Sequence, residues 1–533
     1  MNATRLLWLL AVSAAAFAPL LLFLVNGADF SGIASESLAY RFFYSMRLYA
    51  GPDLTAWLPQ GHLVTTLEHA INYFVLPTLD GSLDRLRAAL NTFSYWTIAT
   101  INVTIVAVFL LAAAASSITW QDRALLTIVA FAPIYANQYA ISYALWPDYY
   151  LLDVYFIAAA VVFFQWQWRS GSTARPWLRT VGVGVFVGLL TVNKISMLFV
   201  GGPLVAAVVL SPEISWRTAV RRTAIAASAA IATFAFFYCA AGLFRIAWIG
   251  GATRAWLKLV TNPGGDQGFL ELILNFKTHY HYAVMVIWWL ATLVMAATAL
   301  IRARCRSVQT LAILAAALVG SVVCIMFLKT RPAGTTFGEV CCQLMGYGAI
   351  FMTITPWPRA ARASISAMAL AFLIAAAISR PFDPVIWWAT KSSKVADEQW
   401  QFFQDVMAHA GANGVRYYIP NNNHQFSDVF IILLKGASNF PSSDVTGGGR
   451  WIMDKYAPGL SFVFDREQSG LESIPANSTV VWYDADWLES VPGHFPRLAA
   501  AIANPGAEDR RTAFSQTGFH FPGRVVGHIV HVP

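Results

Sequence analysis

The chain has 533 residues, of which 57% are hydrophobic and only 12% are charged, and its formal net charge is +8. Soluble domains usually carry about 25% charged residues, so this composition excludes an ordinary soluble protein and indicates a membrane protein. The basic residues separate apolar runs and do not line one face, which argues against a nucleic-acid partner.

Charge is distributed unevenly along the chain. Residues 1–379 hold 24 basic and 13 acidic residues among long apolar runs, whereas residues 380–533 hold 12 basic and 15 acidic residues, as soluble domains do. We therefore predict a transmembrane domain over 1–379 and a soluble domain over 380–533. All five cysteines lie in the first domain, so the second domain must be stable without disulfides.

A helix that crosses a bilayer needs about 20 apolar residues. By this criterion we predict eleven spans, at about 6–25, 94–116, 124–142, 149–168, 181–193, 195–210, 223–242, 279–301, 308–328, 339–355 and 363–379. The fifth and sixth are short and could also form one broken segment. The first could be mistaken for a cleaved signal peptide, but its long continuous apolar stretch favours a retained anchor.

Short arginine clusters predict the orientation of the chain. They lie at 169–179, 217–222, 302–306 and 358–362, and the positive-inside rule places such clusters in the cytoplasm. The chain must then cross twice between the first two clusters. Eleven crossings put the N-terminus in the cytoplasm and residues 380–533 on the outer face.

The first outer loop, 26–93, is too long for a simple connector, and long loops are often functional. Its segment 61–79 has apolar residues at helical spacing with His62 off the apolar stripe, which predicts an amphipathic helix along the membrane surface. Segment 36–50 predicts a second such helix.

The C-terminal segment mixes helical and strand periodicity. ADEQWQFFQDVMAHAG (396–411) predicts a helix that ends at a glycine, and three short runs predict strands, namely VRYYIP, LSFVFDR and STVVWYDADW. The predicted fold is therefore mainly α, a polytopic membrane protein with about eleven transmembrane helices and a C-terminal soluble α/β domain on the outer face.

Acidic residues gather at the predicted outer boundary. Asp29 directly follows the first span, and Asp148 follows Trp146 and Pro147 at the start of the fourth. A carboxylate at a helix start is also stabilised by the helix dipole, so a purely structural role stays open for Asp148.

Basic residues at the same boundary could hold a phosphate. Lys194 lies between two short spans, where an ionisable residue suggests function unless it snorkels to the interface. Lys329 and Arg331 lie together at a predicted helix end, although attraction to lipid head groups explains each of them equally well. The remaining outer cations are Arg41, Arg47, Arg85, Arg87, Arg245, Arg254, Lys258 and Lys277.

A divalent metal ion is a weaker expectation. His279 and His281 are metal ligands by residue type, but their spacing of two fits a strand better than one face of a helix. Asp148 is a third candidate ligand.

Several segments together resemble a known family. The run GHLVTTLEHAINYFVLPTLDGSLDRLRAALNTFSYWTIATINVTIVAVFLLA follows the first span and its acid, and it is joined by YALWPDYYLLDVYFIAAAVVFF, VGLLTVNKISMLFVGGPLVAAVV and FGEVCCQLMGYGAIFMTI. In pattern and order they resemble the multispanning glycosyltransferases of the C superfamily (GT-C). The layout is most similar to that of the bacterial transferases that add aminoarabinose or galacturonic acid to lipid A.

The resemblance implies a function and a site. The enzyme would move a sugar from a polyprenyl-phosphate donor to a hydroxyl of an envelope glycan, glycolipid or protein. Asp29 would be the general base, with Glu36 as the substitute candidate and Asp148 orienting the acceptor or the base. Four residues would contact the donor phosphate, namely His62, Lys194, Lys329 and Arg331. The protein would lie in the inner membrane of a bacterium, with its C-terminal domain in the periplasm.

Two other functions that use lipid-linked sugars remain open, and so does a non-enzymatic scaffold role in the envelope. A transporter or flippase of a lipid-linked sugar predicts inverted repeats and midplane charges, and Asp153 in the fourth span is the residue that favours it. A surface-polysaccharide polymerase or ligase would use the same donors, but these proteins usually carry their large outer loop between late spans.

Overall fold

The computed structural model describes residues 3–31, 42, 83–114, 119, 176–193, 215–243, 367, 370, 374, 382–410, 416–418, 462–464, 474, 476–485, 496–504, 506–514 and 525–532. The helices in these ranges are α1 (Ala3–Asn26), α2 (Leu83–Ala114), α3 (Pro176–Asn193), α4 (Trp216–Leu243), α5 (Asp383–Ala410) and α6 (Pro496–Ile502). The strands are β1 (Arg416–Tyr418), β2 (Phe462–Phe464), β3 (Ser478–Ala485), β4 (Glu508–Phe514) and β5 (Val525–Val532).

The chain divides into two compact units. Among the described residues, one unit holds α1 up to Pro19, α2 from Ile98, α3 and α4. The other holds the end of α1 from Leu20, the start of α2 up to Thr97, α5 from Ile386, α6 and all five strands.

The described part is mostly helical, and helices occupy four of the predicted spans. Spans 6–25, 181–193 and 223–242 lie within α1, α3 and α4, and α2 covers 94–116 up to its end at Ala114. Two helices, Leu6–Asn26 and Trp216–Ala240, are long and apolar enough to cross a membrane, and the apolar helix Trp177–Val192 is shorter. The remaining predicted spans lie outside the described residues, except that 367, 370 and 374 are helical.

Two glycines bring α3 and α4 into close contact. A β-carbon on Gly188 would lie 2.6 Å from the β-carbon of Thr233, and one on Gly184 would lie 2.7 Å from that of Ala229 and would overlap the carbonyl oxygen of Ala226. Since these glycines are four residues apart, they share one face of α3. Apolar helices commonly associate in bilayers through such strips of small residues.

A glycine cap ends α1. Gly27 has a φ of +63°, its N–H donates to the carbonyl of Leu24 at 3.2 Å, and the N–H of Ala28 donates to that of Phe23 at 2.9 Å. This pair of bonds is a Schellman motif, which requires the left-handed conformation that glycine adopts without steric cost. The cap turns the chain sharply into the segment 28–31.

Helix α5 is longer than predicted. Its end at Ala410, next to Gly411, confirms the expected glycine stop, but it begins at Asp383 and not near residue 396. Asp383 and Pro384 form an ordinary helix start, since proline is favoured in the first turn and has no N–H to leave unpaired.

The strands form one mixed sheet in the order β2-β1-β3-β5-β4. Strand β1 is parallel to β2 and β3, whereas β5 is antiparallel to β3 and β4. The three predicted strands are confirmed as β1, β2 and β3, and with the helices they make the expected α/β arrangement. Strands β4 and β5 and helix α6 were not predicted.

Alternate residues of the sheet face opposite sides. One side packs on α6 and forms a buried apolar core made of Ile474, Val480, Trp482, Leu498, Val530 and Val532. There the ring of Trp482 stacks on that of His528 with centroids 4.5 Å apart. The other side carries Thr479, Ile529 and His531.

Candidate functional site

Asp29 lies three residues beyond the end of α1, and its side chain is almost completely buried. The Schellman cap at Gly27 positions it, because the cap fixes the direction in which the chain leaves the helix. A buried carboxylate needs partners that compensate for its lost hydration.

Four donor atoms surround the Asp29 carboxylate. Oδ1 accepts bonds from the backbone N–H of Ser31 at 2.8 Å and from the Ser31 hydroxyl. Oδ2 accepts a hydrogen bond from Arg87 Nε at 2.7 Å, and Arg87 Nη2 lies 2.6 Å from the same oxygen as an ion pair. A carboxylate has about four lone-pair positions, and here three hydrogen bonds and the ion pair with Nη2 hold it in one orientation.

Arg87 joins two carboxylates. It lies in the first turns of α2, and its Nη2 also contacts Oδ1 of Asp397 on α5 at 2.6 Å. Burial opposes the charged guanidinium, but the attraction of Asp29 and the hydrogen bonds to Asp397 and Asp29 outweigh burial and raise the pKa of Arg87 above its ordinary value. Arg87 is therefore cationic at every physiological pH.

Two consecutive serines of α5 hold the backbone around Asp29. The N–H of Asp29 donates to Ser392 Oγ at 3.0 Å, and the Ser393 hydroxyl donates to the carbonyl of Gly27. The segment after α1 is thus tied to α5 by its main chain as well as through Arg87.

Side chains of α2 hold the same segment from another direction. Asn91 Oδ1 accepts a bond from the N–H of Phe30 at 3.0 Å, and the Tyr95 hydroxyl donates to the carbonyl of Ala28 at 2.7 Å. The ring of Phe30 packs edge to face against those of Phe23 and Tyr95.

A chain of hydrogen bonds ends at Asp29. Trp400 Nε1 donates to Ser31 Oγ at 2.9 Å, and indole can only donate, so the Ser31 hydroxyl gives its proton to Asp29. Ser31 and Trp400 are both buried. This arrangement fixes the hydroxyl rotor of Ser31.

The arrangement gives Asp29 a definite chemical capacity. Arg87 Nη2 has a second acceptor in Asp397, so it can leave Oδ2 without losing all of its bonds. A hydroxyl could then take that position on Oδ2, while Nε and Ser31 keep the carboxylate oriented. A hydroxyl that replaced the Nη2 contact would meet a carboxylate that is already oriented by Arg87 Nε and Ser31.

Of the residues predicted for the site, Asp29 lies in the described part of the chain. The others lie outside the described residues and stay predictions, namely Glu36, His62, Asp148, Lys194, His279, His281, Lys329 and Arg331. The predicted surface helices at 36–50 and 61–79 also lie outside, apart from helical Phe42. Across the ranges that the structure describes, no group of three His, Cys, Asp or Glu could hold a metal ion.

The partners of Asp29 were not assigned a role from the sequence. Arg87 stood among the outer cations, but nothing distinguished it from Arg85. Asp397 and Trp400 lie in the predicted helix 396–411, and no local sequence pattern connects that helix to residue 29.

The chain matches no protein-family model, no curated protein and no solved structure.

Proposed function

We propose that this chain is an integral membrane glycosyltransferase that uses a polyprenyl-phosphate sugar as donor. The observation that carries the proposal is the Asp29 carboxylate, fixed by Arg87 and Ser31 at the end of the apolar helix α1. The resemblance to the C superfamily implies a base at this position, and the oriented carboxylate of Asp29 is the group that supports it.

The proposed reaction is a displacement at the anomeric carbon of the donor. The oxygen of an acceptor hydroxyl bonds to that carbon, and the bond from the carbon to the phosphate oxygen breaks. The electron pair of the broken bond leaves with polyprenyl phosphate, and the hydroxyl proton passes to Asp29. No oxidant or further reactant is needed.

Arg87 would act as a positioning residue in this scheme. It keeps the carboxylate oriented through Nε, and Nη2 moves towards Asp397 when the acceptor hydroxyl arrives. Correct orientation of reacting groups accounts for a large part of many enzymatic rate enhancements.

The position suits a lipid-linked donor. The predicted membrane boundary at the end of α1 would let the polyprenyl tail stay in the bilayer while a hydroxyl approaches from outside. The leaving phosphate would be met by Lys194, Lys329, Arg331 and His62, and Glu36 or Asp148 would assist at the acceptor, as the resemblance implies.

The proposal extends to the whole protein. It would span a bacterial inner membrane eleven times, with its N-terminus in the cytoplasm and residues 380–533 outside. Its partners would be the lipid donor and an envelope glycan or glycolipid acceptor.

A donor panel tests the proposed activity. The full chain, reconstituted in lipid vesicles, would be supplied with radiolabelled polyprenyl-phosphate sugars and extracted envelope glycolipids. We expect one donor to release polyprenyl phosphate as labelled acceptor accumulates. Movement of intact donor across the bilayer without release would support a flippase instead, and absence of release from every donor would contradict the proposal.

A further inference from the structure

A second polar site lies on the face of the sheet opposite the α6 core. A cleft of about 310 Å³ opens there between the sheet and the end of α5. Its floor is formed by buried Thr479 and Ile529, and Ala408 and His409 form one wall. Ligand pockets usually start at about 300 Å³, so the cleft suits one small ligand.

Strand register builds a polar row across the cleft. Glu508 of β4 lies opposite His531 of β5, and His531 lies opposite Thr479 of β3. Arg510 is two residues further along β4 and faces the same side, about 7 Å from Glu508 along the strand.

These side chains are available to a ligand. Within the described ranges, the side chains of Glu508, Arg510 and His531 have neither a hydrogen bond nor an ion pair, and both Glu508 and Arg510 are exposed. His409 Nδ1 lies 2.8 Å from the carbonyl oxygen of Asp405 and donates to it. With Nδ1 as the donor, Nε2 is the ring nitrogen that remains for a ligand.

The charges restrict the class of ligand. Glu508 and Arg510 carry opposite charges, so the cleft offers no net attraction to a simple anion or cation, and this favours a ligand that is neutral overall or dipolar. The two imidazoles and the Thr479 hydroxyl add donors and acceptors that suit hydroxyl groups, and Ile529 offers an apolar surface to C–H groups. A sugar ring has hydroxyls at its edge and C–H groups on its faces.

We propose that this cleft binds a single neutral sugar unit. Glu508 accepts hydrogen bonds from hydroxyls on one edge of the ring, Arg510 donates to oxygens on another edge, and the ring face lies over Ile529. The inference does not rest on glycosyl transfer at Asp29, because it concerns binding by different residues.

Ligand-detected NMR of the full chain in nanodiscs tests the proposal. Glucose, galactose, mannose and arabinose would each be titrated to millimolar concentrations. We expect at least one sugar to bind, and Arg510→Gln and Glu508→Gln each to weaken its binding about tenfold or more, since each removes a charge-assisted hydrogen bond. Ala408→Phe would fill the cleft and abolish binding without a change of charge.

Arg511→Gln is the matched control, because it removes the same charge from the opposite side of β4. Sugar binding in this variant should equal that of the wild type, and thermal unfolding would verify that all variants are folded. Absence of binding by every neutral sugar would overturn the proposal. Binding that survives Arg510→Gln, Glu508→Gln and Ala408→Phe, or binding of glycine in place of sugars, would overturn it as well.

Discussion

Arg87 is the residue on which the site around Asp29 depends. It gives one hydrogen bond to Asp29 and one to Asp397, forms an ion pair with both carboxylates, and so joins the segment after α1 to α5. Removal of one partner from a buried ion pair usually costs more than removal of both, because the remaining charge is left uncompensated.

We therefore expect Arg87→Met to destabilise the protein by about 2–4 kcal/mol. The loss should be smaller in the double variant Arg87→Met/Asp29→Asn than the sum of the single effects, by about 1 kcal/mol or more, because the two residues share one interaction. Denaturant unfolding of the four proteins in detergent measures this coupling. Additive effects would show that Arg87 and Asp29 are not energetically coupled.

Asp29 could be predicted from the sequence, because an acidic residue directly after an apolar span can be recognised from its sequence neighbours alone. Arg87 and Asp397 were not, since they lie 58 and 310 residues from their partners along the chain. Hydrophobic periodicity reports on neighbours within one element and carries no information about such pairs.

At the scale of the elements, the close packing of α3 on α4 depends on two glycines of α3, which have no side chain. Gly184 and Gly188 allow the contact with Ala226, Ala229 and Thr233. A larger residue would separate the helices or strain their side chains, which typically costs about 1–3 kcal/mol.

Gly188→Leu should therefore lower the thermal midpoint and destabilise the protein by about 2 kcal/mol. Val185→Leu is the control, because Val185 is exposed on the same helix and should tolerate the change. Equal midpoints for the two variants would contradict the close contact between α3 and α4. Circular dichroism during heating gives both midpoints.

The sequence predicted the elements that have a clear local signal. Short runs that contain β-branched and aromatic residues predicted β1, β2 and β3, and long apolar runs predicted α1 to α4. Strand β4 has the sequence EDRRTAF, which lacks an apolar alternation because it lies at the edge of the sheet. Its strand conformation comes from pairing with β5, and this tertiary effect overrides local propensity.

At the scale of the whole molecule, the predicted membrane topology is based on the positions of the arginine clusters. Cluster 217–222 overlaps the start of α4, where Arg217 is exposed, and Ala503 is exposed just after α6. The positive-inside rule places Arg217 in the cytoplasm. The predicted number of crossings between Arg217 and Ala503 is odd, so Ala503 is predicted to lie outside.

A cysteine-labelling experiment in intact cells tests this orientation. In a variant without the five native cysteines, Ala503→Cys should react with a membrane-impermeant maleimide before permeabilisation, and Arg217→Cys only afterwards. Labelling of both positions, or of neither, in intact cells would show that the predicted topology is wrong.

The most direct test of the central claim compares two carboxylates close to Arg87. Asp29→Asn removes the proposed base, and Asp84→Asn removes an exposed acid from the first turn of α2. With the donor identified by the vesicle assay, single-turnover release of polyprenyl phosphate would be measured at saturating donor for both variants. Loss of a general base costs about 10²–10⁴ in rate, so we predict that fall for Asp29→Asn, unchanged donor binding, and a wild-type rate for Asp84→Asn. A wild-type rate for folded Asp29→Asn would contradict the claim that Asp29 is the catalytic base.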